Sequence, residues 1–137
     1  MTKVMMSIKP EHVENIFKLT KRYEYRKTKC KLDVDEIVIY CTAPVSKVVG
    51  TARIRKVLEG TPEEIWEQTK DRSASTYEAF MEYFTGREHA VAYQLGVITQ
   101  FAKHQELKEY KIWNVPQSYI YLDDQGKRLH KKNKRKR

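Results

Sequence analysis

Residues 36–42 read Glu-Ile-Val-Ile-Tyr-Cys-Thr, with β-branched or apolar side chains at successive rather than alternate positions. Strand side chains point to opposite faces in turn, so a run that is apolar at almost every position is a strand covered on both sides. The rest of the chain has to supply both covers. Val4–Ile8, Lys21–Lys27, Lys47–Val57, His89–Phe101 and Gln117–Leu122 also carry strand patterns. Gly50 and Gly96 interrupt two of these where a bulge or bend would turn a sheet. Helix signals fall in two regions. Pro10-Glu11 opens the first, with Val13, Ile16 and Phe17 on one face and an end near Leu19. Gly60-Thr61-Pro62-Glu63-Glu64 opens the second, with Thr61 as N-cap and Glu64 completing a capping box. A further helix is predicted from Ser75, with Glu78 repeating the box, Phe80, Tyr83 and Phe84 as its apolar face, and Gly86 as its end. Five or six strands with helices only near the start and between the fourth and fifth strands exclude a parallel α/β sheet. They predict an α+β fold: a small mixed β-barrel with flanking helices and a helical insertion between strands.

The 137 residues suit one domain with a single core. The net charge of +9 is not evenly spread. Eight Lys or Arg and no acid lie between Lys127 and Arg137, leaving 19 basic and 18 acidic residues in the body. Residues 1–126 are therefore the expected domain and 127–137 a basic tail, disordered alone because its charges repel. Each phosphate it neutralises would release a counterion and strengthen binding. Lys127, Arg128, Lys131, Lys132, Lys134, Arg135, Lys136 and Arg137 are the candidate phosphate contacts. A second basic stretch, Lys18–Lys31, sets seven Lys or Arg against Glu24 alone. Cys30 and Cys41 have no CxxC spacing, which fits free thiols in a reducing cytosol. The N-terminus lacks a signal h-region and no apolar run approaches about 18 residues, so a cytoplasmic protein without a membrane partner is expected.

The chemistry concentrates in Lys21-Arg-Tyr-Glu-Tyr-Arg26. Strict alternation places Arg22, Glu24 and Arg26 on one face and Lys21, Tyr23 and Tyr25 on the other. A site shared by Lys21 and Glu24 then requires an irregular strand start. In such a site Glu24 accepts from a base amino group, while Lys21 and Arg26 hold a phosphate or carbonyl oxygen. Ser7, Lys9 and Ser118 supply further hydrogen bonds if the first and last strands flank it. As a solvated strand face the same residues would be simple ion pairs of little energetic weight.

The order and wording of these segments resemble the ASCH domain, a branch of the PUA-like barrels. The resemblance runs from Val4 to Leu122. It rests on Ser7-Ile8-Lys9-Pro10, Lys21-x-x-Glu24-x-Arg26, Tyr40-Cys41-Thr42-Ala43-Pro44 with Val48-Val49-Gly50, and Pro116-Gln117-Ser118-Tyr119-Ile120-Tyr121-Leu122. The family motif is Gly-x-Lys-x-x-Glu-x-Arg, and Leu19 stands at its glycine. The resemblance implies a PUA-like barrel with a cleft into which Lys21, Glu24 and Arg26 project, and binding of RNA or a modified nucleoside. It also implies an alternative. Some members are hydrolases, acting on acylated, N4-acetylcytidine-like nucleosides or on RNA phosphodiesters, which would make Lys21 and Glu24 catalytic. The deacetylating branch has threonine where this chain has Glu24, and uses a glutamate from the helical insertion, for which Glu78 and Glu82 are the candidates.

Other chemistries lack their residues. His12, His89, His104 and His130 have no paired or HExxH spacing, so no metal is expected. Without a glycine-rich phosphate loop or a Gly-x-Ser-x-Gly elbow, no cofactor and no serine hydrolase are expected. Most of the nine tyrosines should be core, as should Trp66, whereas Trp113 falls where a cleft rim would be.

Overall fold

A computed structural model describes residues 2–129. The elements are β1 (Lys3–Ile8), α1 (Pro10–Phe17), β2 (Tyr23–Arg26), β3 (Glu36–Cys41), β4 (Lys47–Gly60), α2 (Pro62–Thr69), α3 (Tyr77–Tyr83), β5 (Ala90–Gln105) and β6 (Tyr119–Leu122). They form one six-stranded sheet in the order β2-β5-β4-β3-β1-β6. Only β1 and β3 run parallel; the other pairs are antiparallel. The sheet curls until its ends meet, which gives the α+β, PUA-like half-barrel with three helices that the segment order predicts.

β3 lies inside the sheet and is covered twice. Ile37, Ile39 and Cys41 pack with Val4, Met6, Val91, Tyr93 and Leu95, and with Val13 and Ile16 of α1. Val38 and Tyr40 face the other way onto Met5, Val48, Ile112 and Leu122. A third cluster seats α2 and α3 on the sheet: Ile65, Trp66, Phe80 and Phe84 meet Tyr25, Ala90 and Ala92. Thus α1 and the α2–α3 insertion lie on opposite faces of β2 and β5, and β2 is sandwiched between them.

Several boundaries move from the predicted ones. β2 begins at Tyr23 rather than Lys21, while β4 and β5 run on to Gly60 and Gln105. The bend at Gly50 is real: pairing with β3 and β5 shifts register there, and a Cβ on Gly50 would lie 2.3 Å from the Thr99 carbonyl and 2.9 Å from the Phe17 ring. The capping box at Thr61 and Glu64 forms as expected. α3 is capped by Thr76, which accepts from the Ala79 N–H, not by Ser75, and the expected box with Glu78 is absent. A 3₁₀ turn at Leu107–Tyr110 and a bridge between Leu122 and Arg128 add to the predicted elements. Through that bridge Lys127 and Arg128 return to the domain: the Arg128 N–H donates to the Tyr110 carbonyl and the Lys127 N–H to Asp123 Oδ1. Lys131, Lys132, Lys134, Arg135, Lys136 and Arg137 lie outside the described residues.

Candidate nucleoside and RNA site

The end of α1 sets up the site. Lys18 is its C-cap and Leu19 takes a left-handed φ of 67°. The Leu19 N–H then donates to the Ile16 carbonyl and the Thr20 N–H to that of Asn15, a Schellman closure. Lys21 follows inside this turn, its own N–H also on the Asn15 carbonyl. Because Lys21 precedes the strand, β-alternation does not govern its side chain. This is the irregular start that a shared site requires.

Lys21 is only 4% exposed and Glu24 7%. The Lys21 ammonium lies over the Tyr25 ring, 4.6 Å from its centroid. Among the described residues it has no hydrogen-bond acceptor and no carboxylate within the 4.0 Å of an ion pair. Burial pulls its pKa below the usual lysine value, and the nearby Glu24 charge opposes that pull. A cation–π contact returns about 2 kcal/mol when desolvated, whereas removing an ammonium from water costs several. Desolvation therefore wins, in agreement with the direction of the shift.

Glu24 is held from one side. Arg26 Nε donates to Glu24 Oε2 at 3.1 Å. The remaining guanidinium nitrogens donate to the Ser7 carbonyl at 3.1 Å, to Ser118 Oγ at 3.2 Å and to the Ser118 carbonyl at 3.4 Å. Arg26 thus ties β2, one edge of the sheet, to β1 and to the residue leading into β6 at the other. Ser7 reinforces the seam, its hydroxyl donating to the Pro116 carbonyl at 2.6 Å and its N–H to the Ser118 carbonyl at 3.2 Å. Glu24 Oε1 has no partner among the described residues.

The structure therefore brings together Ser7, Lys21, Glu24, Arg26 and Ser118. Lys9 stands exposed at the N-cap of α1, its side chain making no cap bond. Arg22 leaves the group that alternation gave it: its guanidinium donates to the Leu95 and Gly96 carbonyls at 2.8 and 2.9 Å. Glu78 and Glu82 are exposed on α3. Two residues that sequence reasoning missed join the site. His12 of α1 is half-buried, and burial first, then the Lys21 charge, lower its pKa. Tyr83 of α3 donates its hydroxyl to the Tyr25 carbonyl at 3.4 Å, and burial raises its pKa while the Arg26 charge opposes the rise. Neither position carries a local signal, because each reaches the site only through helix packing. A groove of about 440 Å³ lies elsewhere, between α1 and Cys41, Val45, Val49, Gln100 and His104.

Chemically, a buried ammonium with free donors stands beside a carboxylate with a free acceptor oxygen. Such a pair matches a small planar edge presenting one acceptor and one donor. Among the described residues no group of three or more His, Cys, Asp or Glu could hold a metal, and no helix is long and apolar enough to cross a membrane.

A family model described as "Domain of unknown function (DUF365)" matches residues 1–122. The chain belongs to the DUF365 family. This DUF365 chain superposes on the ASCH protein of Zymomonas mobilis with a TM-score of 0.82 and 25% identity over 90% of each chain. A single-substitution variant of that protein matches with a TM-score of 0.81. The domain is an ASCH domain in fold. At 26% identity over 120 residues, 87% of the chain is also similar to ATP synthase subunit alpha and to large ribosomal subunit protein uL22 of Ureaplasma parvum serovar 3. The match spans only 15% and 39% of those proteins. They share this segment but not their names, so what they have in common with the DUF365 chain is a domain rather than an activity.

Proposed function

We propose that the domain binds RNA or a modified nucleoside, taking a base edge between Lys21 and Glu24, with the basic C-terminal run adding phosphate affinity. The observation that carries this reading is the buried Lys21 ammonium, which has no acceptor among the described residues, next to the Glu24 Oε1, which has no donor among them. A fold that keeps such a donor dry and unpaired gives up stability unless a ligand supplies the missing partner. Glutamate is a good acceptor for a base amino group, and lysine a good donor to a carbonyl or phosphate oxygen. Arg26, with its donors committed to Glu24, Ser7 and Ser118, orients the carboxylate. Ser7 and Ser118 hold Arg26, and Lys9 adds positive charge at the rim. Cytoplasmic residence suits both an RNA ligand and the two buried, unpaired thiols.

The lowered pKa of Lys21 favours one second reading, a hydrolase of acylated nucleosides or RNA phosphodiesters in which the neutral amine is the base and Glu24 assists. One experiment separates the two: calorimetric titration with cytidine, N4-acetylcytidine and single-stranded RNA, with chromatography of the same mixtures for products. In the binding reading, Lys21→Ala weakens base binding by about 10- to 100-fold, the loss of a hydrogen bond to a charged group, and no product forms. Removing residues 130–137 flattens the salt dependence of RNA affinity by about 0.7 in log–log slope for each single-strand phosphate that the run neutralises. Product that vanishes in Lys21→Ala with affinity retained assigns the hydrolase. A Lys21→Ala protein that binds every ligand as well as the wild type, with product formation the same in both proteins or absent from both, overturns both readings.

A further inference from the structure

Trp113 is 72% exposed, more than any other large apolar side chain among the described residues. Its segment is nonetheless clamped at both ends. Ile112, on one side, is fully buried, its N–H on the Leu107 carbonyl. Pro116, on the other, is buried, and its carbonyl accepts the Ser7 hydroxyl. A loose loop could fold its tryptophan away; this one is held open, with Asn114 and Val115 exposed beside it. The segment runs directly into Ser118, which carries Arg26 and so the Glu24 site. Five residue steps separate Trp113 from Ser118, at most about 17 Å. The turn that starts the segment is tied to the basic run, the Lys127 ammonium donating to the Glu109 carbonyl and the Arg128 N–H to that of Tyr110. Among the described residues, 107–129 carry Lys108, Lys111, Lys127 and Arg128 against Glu109, Asp123 and Asp124, and Asp123 accepts the Gln125 and Lys127 N–H groups. Within the segment's own turn, Glu109 is engaged, its carboxylate accepting the Glu106 N–H.

We infer that Trp113 is a stacking platform for the nucleotides that flank the base held at Lys21 and Glu24, so that the ligand is a single strand rather than a free nucleoside. The inference rests on the binding reading above and adds a second contact to it. Aromatic stacking tolerates any base, and positive charge beside it tracks the backbone, which is how single strands are held.

Trp66, the only other tryptophan, is 9% exposed, so a fluorescence change on binding reports on Trp113. The full chain is titrated with a single-stranded RNA ten-mer, a duplex of the same length and cytidine. The single strand should quench the emission and the duplex should not. Trp113→Ala should weaken the single strand by about 5- to 100-fold, Trp113→Phe much less, and neither should change cytidine affinity. Unchanged RNA affinity in Trp113→Ala, or saturation without quenching, overturns the inference. If Lys21→Ala still weakens cytidine in that case, the base site stands without the platform. Quenching and RNA affinity that survive in Lys21→Ala leave the platform standing and overturn the base site instead.

Discussion

Lys21 is where residue chemistry and fold stability conflict. Its ammonium is more stable in water than in its turn, so the protonated form favours unfolding. The native pKa lies below the ordinary 10.5, and between the two values the unfolded chain binds one proton more than the native one. Stability from this group therefore rises with pH across that window, and as pH falls through it the stability is lost, the loss being complete below the native value. Lys21→Met keeps the apolar stem and drops the charge. Urea denaturation should find it more stable than the wild type near neutrality, by about 1–3 kcal/mol, with the gap narrowing as pH rises. Reading the series below pH 10 keeps Tyr25 and Tyr110, both pushed up to about 12, out of the titration. A gap that does not change with pH would show that Lys21 is not desolvated. The residue types of this site are legible in the sequence, since Lys21, Glu24 and Arg26 stand out in a strand-like run. Their burial is not, because it is imposed by α1 from one side and by α3, more than fifty residues on, from the other. His12 and Tyr83 escape sequence reading for the same reason.

Among the elements, the turn between α1 and β2 shows what a family departure costs. Leu19 is 56% exposed and left-handed, at the position where the ASCH motif has glycine. A side chain there costs about 1–2 kcal/mol, from which the extra freedom of glycine in the unfolded chain subtracts about half to one. Leu19→Gly should raise stability by roughly 0.5–1 kcal/mol in thermal or urea unfolding, with ligand affinity unchanged. A destabilised variant would mean that the leucine packs in a way its exposure does not suggest. Elements are most legible where their chemistry is local, as with the Thr61 box. They are less so where two hydroxyls compete. Ser75 looks the better cap because Glu78 follows it, but its N–H donates to the buried Ser73 hydroxyl and its own hydroxyl to the Thr76 carbonyl, and Thr76 caps instead. The 3₁₀ turn at Leu107 is boxed by Glu106 and Glu109, a pairing outside the Ser/Thr signature that sequence reading looks for.

For the whole molecule, the curl of the sheet matters most, and one guanidinium fastens it. Arg26→Ala removes three anchors to Ser7 and Ser118 and leaves the Glu24 carboxylate buried without its partner, so it should cost about 3–5 kcal/mol in urea denaturation. Adding Glu24→Gln should recover part of that loss, because an uncharged amide is cheaper to bury; additivity of the two changes would count against their coupling. The fastening also has a consequence in time. Arg26 and Ser118 are 92 residues apart, and Ser7 and Pro116 109. Synthesis at about 5–20 residues per second separates their appearance by several seconds. Until the last strand is made, Arg26 has no Ser118 to bind and Ser7 no Pro116 carbonyl, so the seam beside Lys21 and Glu24 stays open. A chain ended before Pro116 is thus without this seam, so the closed site is a mark of a domain synthesised through its last strand.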